Sequence, residues 1–365
     1  MIGSRELYNV VSATFPLYVP VVLGYGSVRW WKFFSSDQCQ GINKLVAFIV
    51  IPFFTFDFIS GVDPFHLNRR FLAADAVSKA IAAAALLLWA KFCSKGSYLW
   101  TITGFSLSTL SNTLVVGVPL LNAMYGKVGQ DLAIQSFLLQ AMVWFTVVVI
   151  VLEVRKARNS LVSITDSSNM DDHVVPIEHE ESAEGDQERG RSSSAGTDQK
   201  PSLKEVMKVV WLKIVVNPNT CASIAGLIWA LVSTRWHFGM PSLIRGSVLI
   251  MSKGGGGMAM FSIGLFMASQ EKLFACGPKL VLLGIVLRFI AGPAAMAAAS
   301  IAVGLRGTVL NIAIIQAALP QAIASFVYAK EYEVHPEVIS TAVILGTLIS
   351  LPVLIAYYVV LELLN

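Results

Sequence analysis

Charge is what this chain has least of: Asp, Glu, Lys and Arg make up 14% of its 365 residues, against roughly 25% in soluble domains. A formal net charge of +4 gives no basic face, so no nucleic-acid partner is expected. The four cysteines, Cys39, Cys93, Cys221 and Cys276, form no CxxC pair and read as free thiols. The histidines fall in loops or at the ends of apolar stretches without metal-ligand spacing, so neither metal nor cofactor is expected. No Ser/His/Asp grouping lies within an apolar stretch, which argues against a hydrolase. The Gly254–Gly257 run lacks the Lys-Ser/Thr of a phosphate loop. An enzyme is therefore not expected.

Apolar sequence is abundant instead. Hydrophobic residues make up 55% of the chain, and runs of about 18 or more recur from end to end, each able to cross roughly 30 Å of hydrocarbon. Ten spans fit, near 7–27, 43–60, 71–90, 99–125, 132–153, 209–233, 243–268, 279–303, 308–329 and 337–363. The first apolar run carries internal prolines and is read as a full span, not a cleaved signal. Residues 157–206 differ from everything else: acidic, serine-rich and nearly devoid of apolar side chains. Such a stretch buries too little surface to offset its chain entropy and reads as a disordered loop. The expected division is a first five-helix repeat over 1–156, this loop, and a second repeat over 207–365. Placing the loop in the cytosol puts seventeen Lys and Arg on that side and seven on the other, in keeping with the positive-inside rule.

The spans are interrupted in matching places. Ser111-Asn112-Thr113-Leu114-Val115-Val116-Gly117-Val118-Pro119 breaks span 4, and Asn311 to Pro320 breaks span 9. Pro320 lies 201 positions after Pro119, Asn311 lies 199 after Asn112, and Pro218 lies 202 after Pro16. Pro52 in span 2 answers similarly to the Gly254–Gly257 run in span 7. Proline lacks an N–H and clashes with the preceding turn. Two broken spans at corresponding positions of two halves mark the binding site of a secondary transporter. Five spans per half make the repeats inverted. The expected fold is thus an all-α polytopic membrane protein whose helices 4 and 9 cross near the midplane.

At such a crossing the freed N–H groups favour an anion. Asn112, Asn219 and Gln321 add uncharged amide donors, able to hold a carboxylate and release it. Against this, the asparagines need do no more than cap broken helices. Asp75 and Lys79, four apart on one face of span 3, are either a self-neutralised pair or take part in protonation or conformational change. Asp57 is placed at a membrane face and solvated. Arg288 is read as snorkelling or as pairing with a carboxylate.

The motifs have a family likeness. Gly24-Tyr25-Gly26-Ser27-Val28-Arg29-Trp30-Trp31-Lys32, Asn112-Thr113-Leu114-Val115 through Pro119, and Ala123-Met124-Tyr125-Gly126 fall in the first half. Asn217-Pro218-Asn219-Thr220, Gly257-Met258-Ala259-Met260-Phe261-Ser262 and Gln316-Ala317-Ala318-Leu319-Pro320-Gln321 follow in the second. With these the chain resembles the PIN-FORMED auxin efflux carriers of plants, and more closely their short-loop members. The resemblance implies a homodimer with an inverted-repeat fold like those of bile-acid symporters and sodium/proton antiporters. It implies a scaffold of spans 1, 2, 6 and 7 and a moving, elevator-type transport domain of spans 3–5 and 8–10. It further implies that Asn112 and Asn219 hold the carboxylate of indole-3-acetate, with Ile51, Leu114 and Ile323 against the ring and Asp75 and Lys79 as a supporting site. Short-loop members reside largely in the endoplasmic reticulum membrane, with the plasma membrane as the alternative.

Two departures stand out. Phe145 occupies a position where the family often has Tyr, removing a hydroxyl beside the pocket. Gln321-Ala322-Ile323-Ala324-Ser325-Phe326 lacks the glycine and second proline common there, which points to a shorter break in span 9. The expected activity is potential-driven export of the auxin anion without obligatory ion coupling. The rivals are a proton- or sodium-coupled organic-anion symporter of the same fold and, from another class, a non-transporting receptor.

Overall fold

The computed structural model describes residues 4–93, 97–170, 208, 211–212, 215–270 and 276–364. Six of its helices are long and apolar enough to cross a membrane: Ser36–Ser60, Arg69–Phe92, Thr113–Ala157, Ser242–Ser269, Pro278–Ala302 and Pro336–Leu363. Thr113–Ala157 is two spans folded back at Gly126, whose φ of 63° and ψ of −149° are open to glycine but not to a residue with a Cβ. Taken in order, span 1 is Ser4–Arg29, span 2 Ser36–Ser60 and span 3 Arg69–Phe92. Span 4 consists of half-helix 4a (Tyr98–Thr109) and half-helix 4b, which starts at Thr113 and ends at Gly126. Span 5 follows that turn and continues through Phe145–Met170. Span 6 is Pro218–Trp236, span 7 Ser242–Ser269 and span 8 Pro278–Ala302. Span 9 consists of half-helix 9a (Gly307–Ala317) and half-helix 9b (Ile323–Glu331), and span 10 is Pro336–Leu363.

All ten stretches are therefore helical, and both predicted interruptions exist. The acidic central stretch lies, from residue 171 to 207, outside the described residues; before it, the helix of span 5 continues to Met170, past the expected loop start at 157. Among the described residues, 147–170 belong to a unit separate from that of residues 4–146 and 215–364.

Proline placement explains the local geometry. Widened turns stand at Val46–Val50, Thr113–Gly117, Gln140–Trp144 and Leu287–Ala291, and all but Gln140–Trp144 have a proline two positions on, Pro52, Pro119 and Pro293. A proline ring displaces the carbonyl four residues back. Widening the preceding turn lets those carbonyls reach N–H groups one residue further on, which matters where no water is at hand. Span 7 has no proline and bends at Gly254 instead, between Ser242–Lys253 and Gly255–Ser269.

Glycine sets the close packing. Spans 1 and 7 meet backbone to backbone: a Cβ on Gly24 would overlap the Phe261 carbonyl, and one on Gly264 the Val21 carbonyl. Gly292 of span 8 lies as tightly against the Ser108 carbonyl of 4a. Small residues at helix contacts are the usual means of association in a bilayer, where apolar burial gives no net drive. Side-chain hydrogen bonds add to this, with Ser262 donating to Asn43 at 2.6 Å, Ser252 to Asp57 at 2.6 Å, and Tyr18 and Ser350 joined at 2.8 Å. Asp57 is thus a half-buried acceptor between spans 2 and 7, not the solvated face residue expected.

Gly264→Leu is expected to abolish the folded protein, because backbone meets backbone there and nothing flexible can give way. Gly41→Ala, in a helix and with nothing within 4 Å of the added Cβ, should be neutral or stabilise by up to about 1 kcal/mol. Size-exclusion profile and Tm in detergent check both.

Candidate functional site

Spans 4 and 9 come together at their breaks. Leu110–Asn112 leaves the helix between 4a and 4b, and Ala318–Ala322 does so between 9a and 9b, so the interruption in span 9 is no shorter than that in span 4. The two segments run antiparallel. The Asn112 N–H donates to the Pro320 carbonyl at 2.8 Å, and the Ala322 N–H to the Leu110 carbonyl at 3.1 Å, with Ser111 opposite Gln321. Gln140, from the widened turn Gln140–Trp144 of span 5, lies on the other side of Ser111 like a third strand. Its Oε1 accepts from the Ser111 N–H at 3.1 Å and its Nε2 donates to the Ser111 carbonyl at 2.7 Å. Backbone groups freed by the breaks are thereby paired inside protein, as the bilayer demands.

Asn112 precedes half-helix 4b and caps it only through its carbonyl, which accepts from Val116 and Gly117 at 3.2 Å. Its side chain makes no cap hydrogen bond, and its Nδ2 is buried with no partner. Mere capping therefore does not account for it. Capping in span 6 falls to Asn217, whose Oδ1 accepts from the N–H groups of Asn219 and Thr220. Asn219 accepts the Thr55 hydroxyl on Oδ1 at 2.6 Å, which keeps its Nδ2 as a donor for another group. Asn311 is not the structural counterpart of Asn112. It lies inside 9a, two turns before the break, with its own Nδ2 buried and unpartnered.

Gln321 is wholly buried in the crossing and donates from Nε2 to the Ser106 carbonyl at 3.1 Å, while its Oε1 has no partner. Pro119 stands in the first turn after the widened turn of 4b, and Pro320 supplies the carbonyl that Asn112 binds. Leu114 is part of the main apolar core, with Ile51 and Ile323 packed against the same cluster. Phe145 faces Tyr328 of 9b at 5.8 Å between ring centroids.

Asp75 and Lys79 are both buried, with Lys79 Nζ 2.9 Å and 2.7 Å from the two carboxylate oxygens. Trp144 Nε1 also donates to Asp75 at 3.2 Å, and its ring lies 5.3 Å from Lys79 Nζ. The pair is not isolated. Ser136 contacts Asp75, Gln316 Nε2 donates to Ser136 at 3.3 Å and to the Thr113 hydroxyl at 2.6 Å, and Thr113 meets Ser111 at 3.1 Å. A polar chain thus runs from the ion pair to the crossing, beside a small pocket lined by Asp75, Lys79, Ser111, Ser136 and Gln316.

Sequence reasoning missed Gln140, Gln316, Ser136 and Trp144. The signal available was the presence of glutamines within apolar spans, where polar side chains are rarely idle. Arg288, expected to snorkel or to pair with a carboxylate, does neither. It is 2% exposed and bound to carbonyls of both broken spans.

A polytopic helical protein whose two interrupted spans cross within a polar network is a membrane transporter by architecture. The sequence matches the family described as Membrane transport protein over residues 9–358. It is 53% identical over 362 residues to auxin efflux carrier component 5 of Arabidopsis thaliana, covering 99% of both chains. It is 53% identical to the probable auxin efflux carrier component 5a of Oryza sativa subsp. japonica, covering 100% of both, and 42% identical to auxin efflux carrier component 8 of Arabidopsis thaliana, again over 100% of both. The chain belongs to the auxin efflux carrier family of membrane transport proteins, in its short-loop branch.

Gln140→Leu tests the crossing. It leaves the Ser111 N–H and carbonyl unpaired in a buried site, at roughly 1–3 kcal/mol for each group. A fall in Tm in detergent is expected, larger than that of an exposed Gln38→Leu control.

Proposed function

We propose that this protein carries the auxin anion indole-3-acetate out of the cytosol, into the endoplasmic reticulum lumen or out of the cell. It does so by an alternating-access elevator movement that follows the membrane potential and needs no coupled ion. The observation that carries this reading is the Asn112 Nδ2, a buried donor at a helix break with no protein partner. Leaving such a group unmet costs about 1–3 kcal/mol, a cost that a ligand carboxylate removes. In this reading Asn219 supplies the second donor from the other half of the chain. Ile51, Leu114 and Ile323 form the apolar wall for the ring, with Phe145 beside Tyr328 at its edge. Gln321, already bound to Ser106, is assigned to holding the crossing. The names of the relatives supply the identity of the anion.

A carboxylic acid with a pKa near 4 is ionised at cytosolic pH and does not cross hydrocarbon unaided. Exporting one negative charge down an inside-negative potential gains about 2.3 kcal/mol per 100 mV, close to fifty-fold accumulation. The uncoupled mode is favoured over a proton- or sodium-coupled symporter because Asp75, the buried carboxylate next to the crossing, is already matched by Lys79. Spans 1, 2, 6 and 7 are assigned to a scaffold that also forms a homodimer face, and spans 3–5 and 8–10 to the moving part. The two halves, 1–156 and 207–365, are assigned as inverted repeats joined by the loop.

Asn112→Ala should weaken binding by about 1.5–3 kcal/mol, the range for a hydrogen bond to a charged group, with little change in Tm. Radiolabelled indole-3-acetate uptake into proteoliposomes measures it, and unchanged uptake would count against the site. Imposed sodium or proton gradients at zero potential should leave wild-type flux unaltered, whereas acceleration by either gradient would favour the symporter.

A further inference from the structure

Arg288 is buried and stands in the widened turn Leu287–Ala291 of span 8. Its Nε donates to the Leu319 carbonyl, one terminal nitrogen to the Ala317 carbonyl at 2.9 Å, and the other to the Leu107 carbonyl at 3.3 Å. Leu107 is in the last turn of 4a, Ala317 ends 9a, and Leu319 lies in the break that follows. These are carbonyls that helix ends leave without partners, at the negative poles of two half-helices. Arg288 belongs to none of the ion pairs Asp63–His66, Asp75–Lys79 and Lys127–Asp131, and its guanidinium is bonded to carbonyls instead.

The charges around the crossing can therefore be counted. Asp75 and Lys79 cancel each other. Arg288 remains, one positive charge held by dipoles and by no carboxylate. The two negative poles carry about half a charge each, so the guanidinium matches them. The positive poles are the N-terminal ends of 4b and 9b, and Asn112 immediately precedes 4b. A helix dipole carries no net charge, so only formal charges decide what crosses the membrane field when the body moves. Lys127 and Asp131 are exposed and pair with each other at 2.7 Å, and Glu153, Arg155 and Lys156 come where span 5 leaves the apolar run of the sequence.

We infer that Arg288 gives the moving part of the carrier one fixed positive charge, so that the bound anion makes it neutral and voltage acts on the return of the empty carrier. This rests on the reading as an anion carrier with alternating access. The charge moved per cycle is still that of one exported anion; what changes is the step that moves it. A neutral loaded body avoids dragging an uncompensated charge through hydrocarbon. The empty body, positive, is drawn back toward a negative cytosol and returns the site to where substrate is.

The experiment separates the two steps in wild-type proteoliposomes clamped by potassium and valinomycin. Exchange of labelled for unlabelled indole-3-acetate, saturating on both sides, uses loaded steps alone, whereas net flux into substrate-free vesicles requires the empty return. Exchange should change by less than about twofold over 100 mV. Net flux should change several-fold, within the roughly fifty-fold limit for one charge crossing the whole field. Exchange that follows voltage as steeply as net flux would overturn the inference while leaving the carrier reading intact; absence of both fluxes would remove the carrier reading and this inference with it. Arg288→Gln should reverse the pattern and make exchange voltage-sensitive, and Arg288→Lys should keep the wild-type pattern. An Arg288→Gln exchange that stays insensitive to voltage would also overturn it. Should neither variant fold, the wild-type comparison decides alone.

Discussion

A backbone that leaves its helix inside a bilayer must find partners in the protein, and the rest of this structure depends on how that requirement is met. Three residues of span 4 and five of span 9 are non-helical in mid-span. They satisfy each other through an antiparallel pair of hydrogen bonds, and Gln140 takes the remaining bonds of Ser111. Arg288 collects three further carbonyls. With these partners in place, a break that would be prohibitive in lipid becomes a rigid crossing.

That arrangement still leaves buried polar atoms unmet, among them the Asn311 Nδ2 and the Gln321 Oε1. At the start of half-helix 4b, right beside the paired breaks, the unmet atom is a donor, the Asn112 Nδ2. The same sorting divides the charges: Asp75 and Lys79 close on each other, while Arg288 is held by carbonyls. Under the proposed function, such a site meets an anion with neutral donors and positive helix poles and keeps its cations at one remove. The polar chain through Ser136, Gln316 and Thr113 links the ion pair to the crossing.

Much of this was legible in the residues. Hydropathy gave ten spans because lipid tolerates few charges, and Pro119 and Pro320 marked the breaks because proline cannot continue a helix. The long motifs shared with a known family pointed to the site asparagines. Less legible was which asparagine does what. Asn112, Asn217, Asn219 and Asn311 look equivalent in sequence, yet one caps, one accepts from Thr55, and two have buried amides without partners. Arg288 was misjudged for a related reason: a lone arginine in an apolar run reads as snorkelling, and the carbonyls that hold it come from residues up to 181 positions away.

The sequence by itself determined the class of molecule, the number of spans and where two of them stop being helices, because those depend on local properties: transfer of side chains into hydrocarbon and the missing N–H of proline. Only the tertiary structure decided that the two breaks pair with each other, that Gln140 serves as their third strand, and that a buried arginine faces helix ends instead of a carboxylate. Those outcomes depend on which distant groups are brought within 3 Å or so of one another, and hydrogen bonding at that range is a property of the assembled fold.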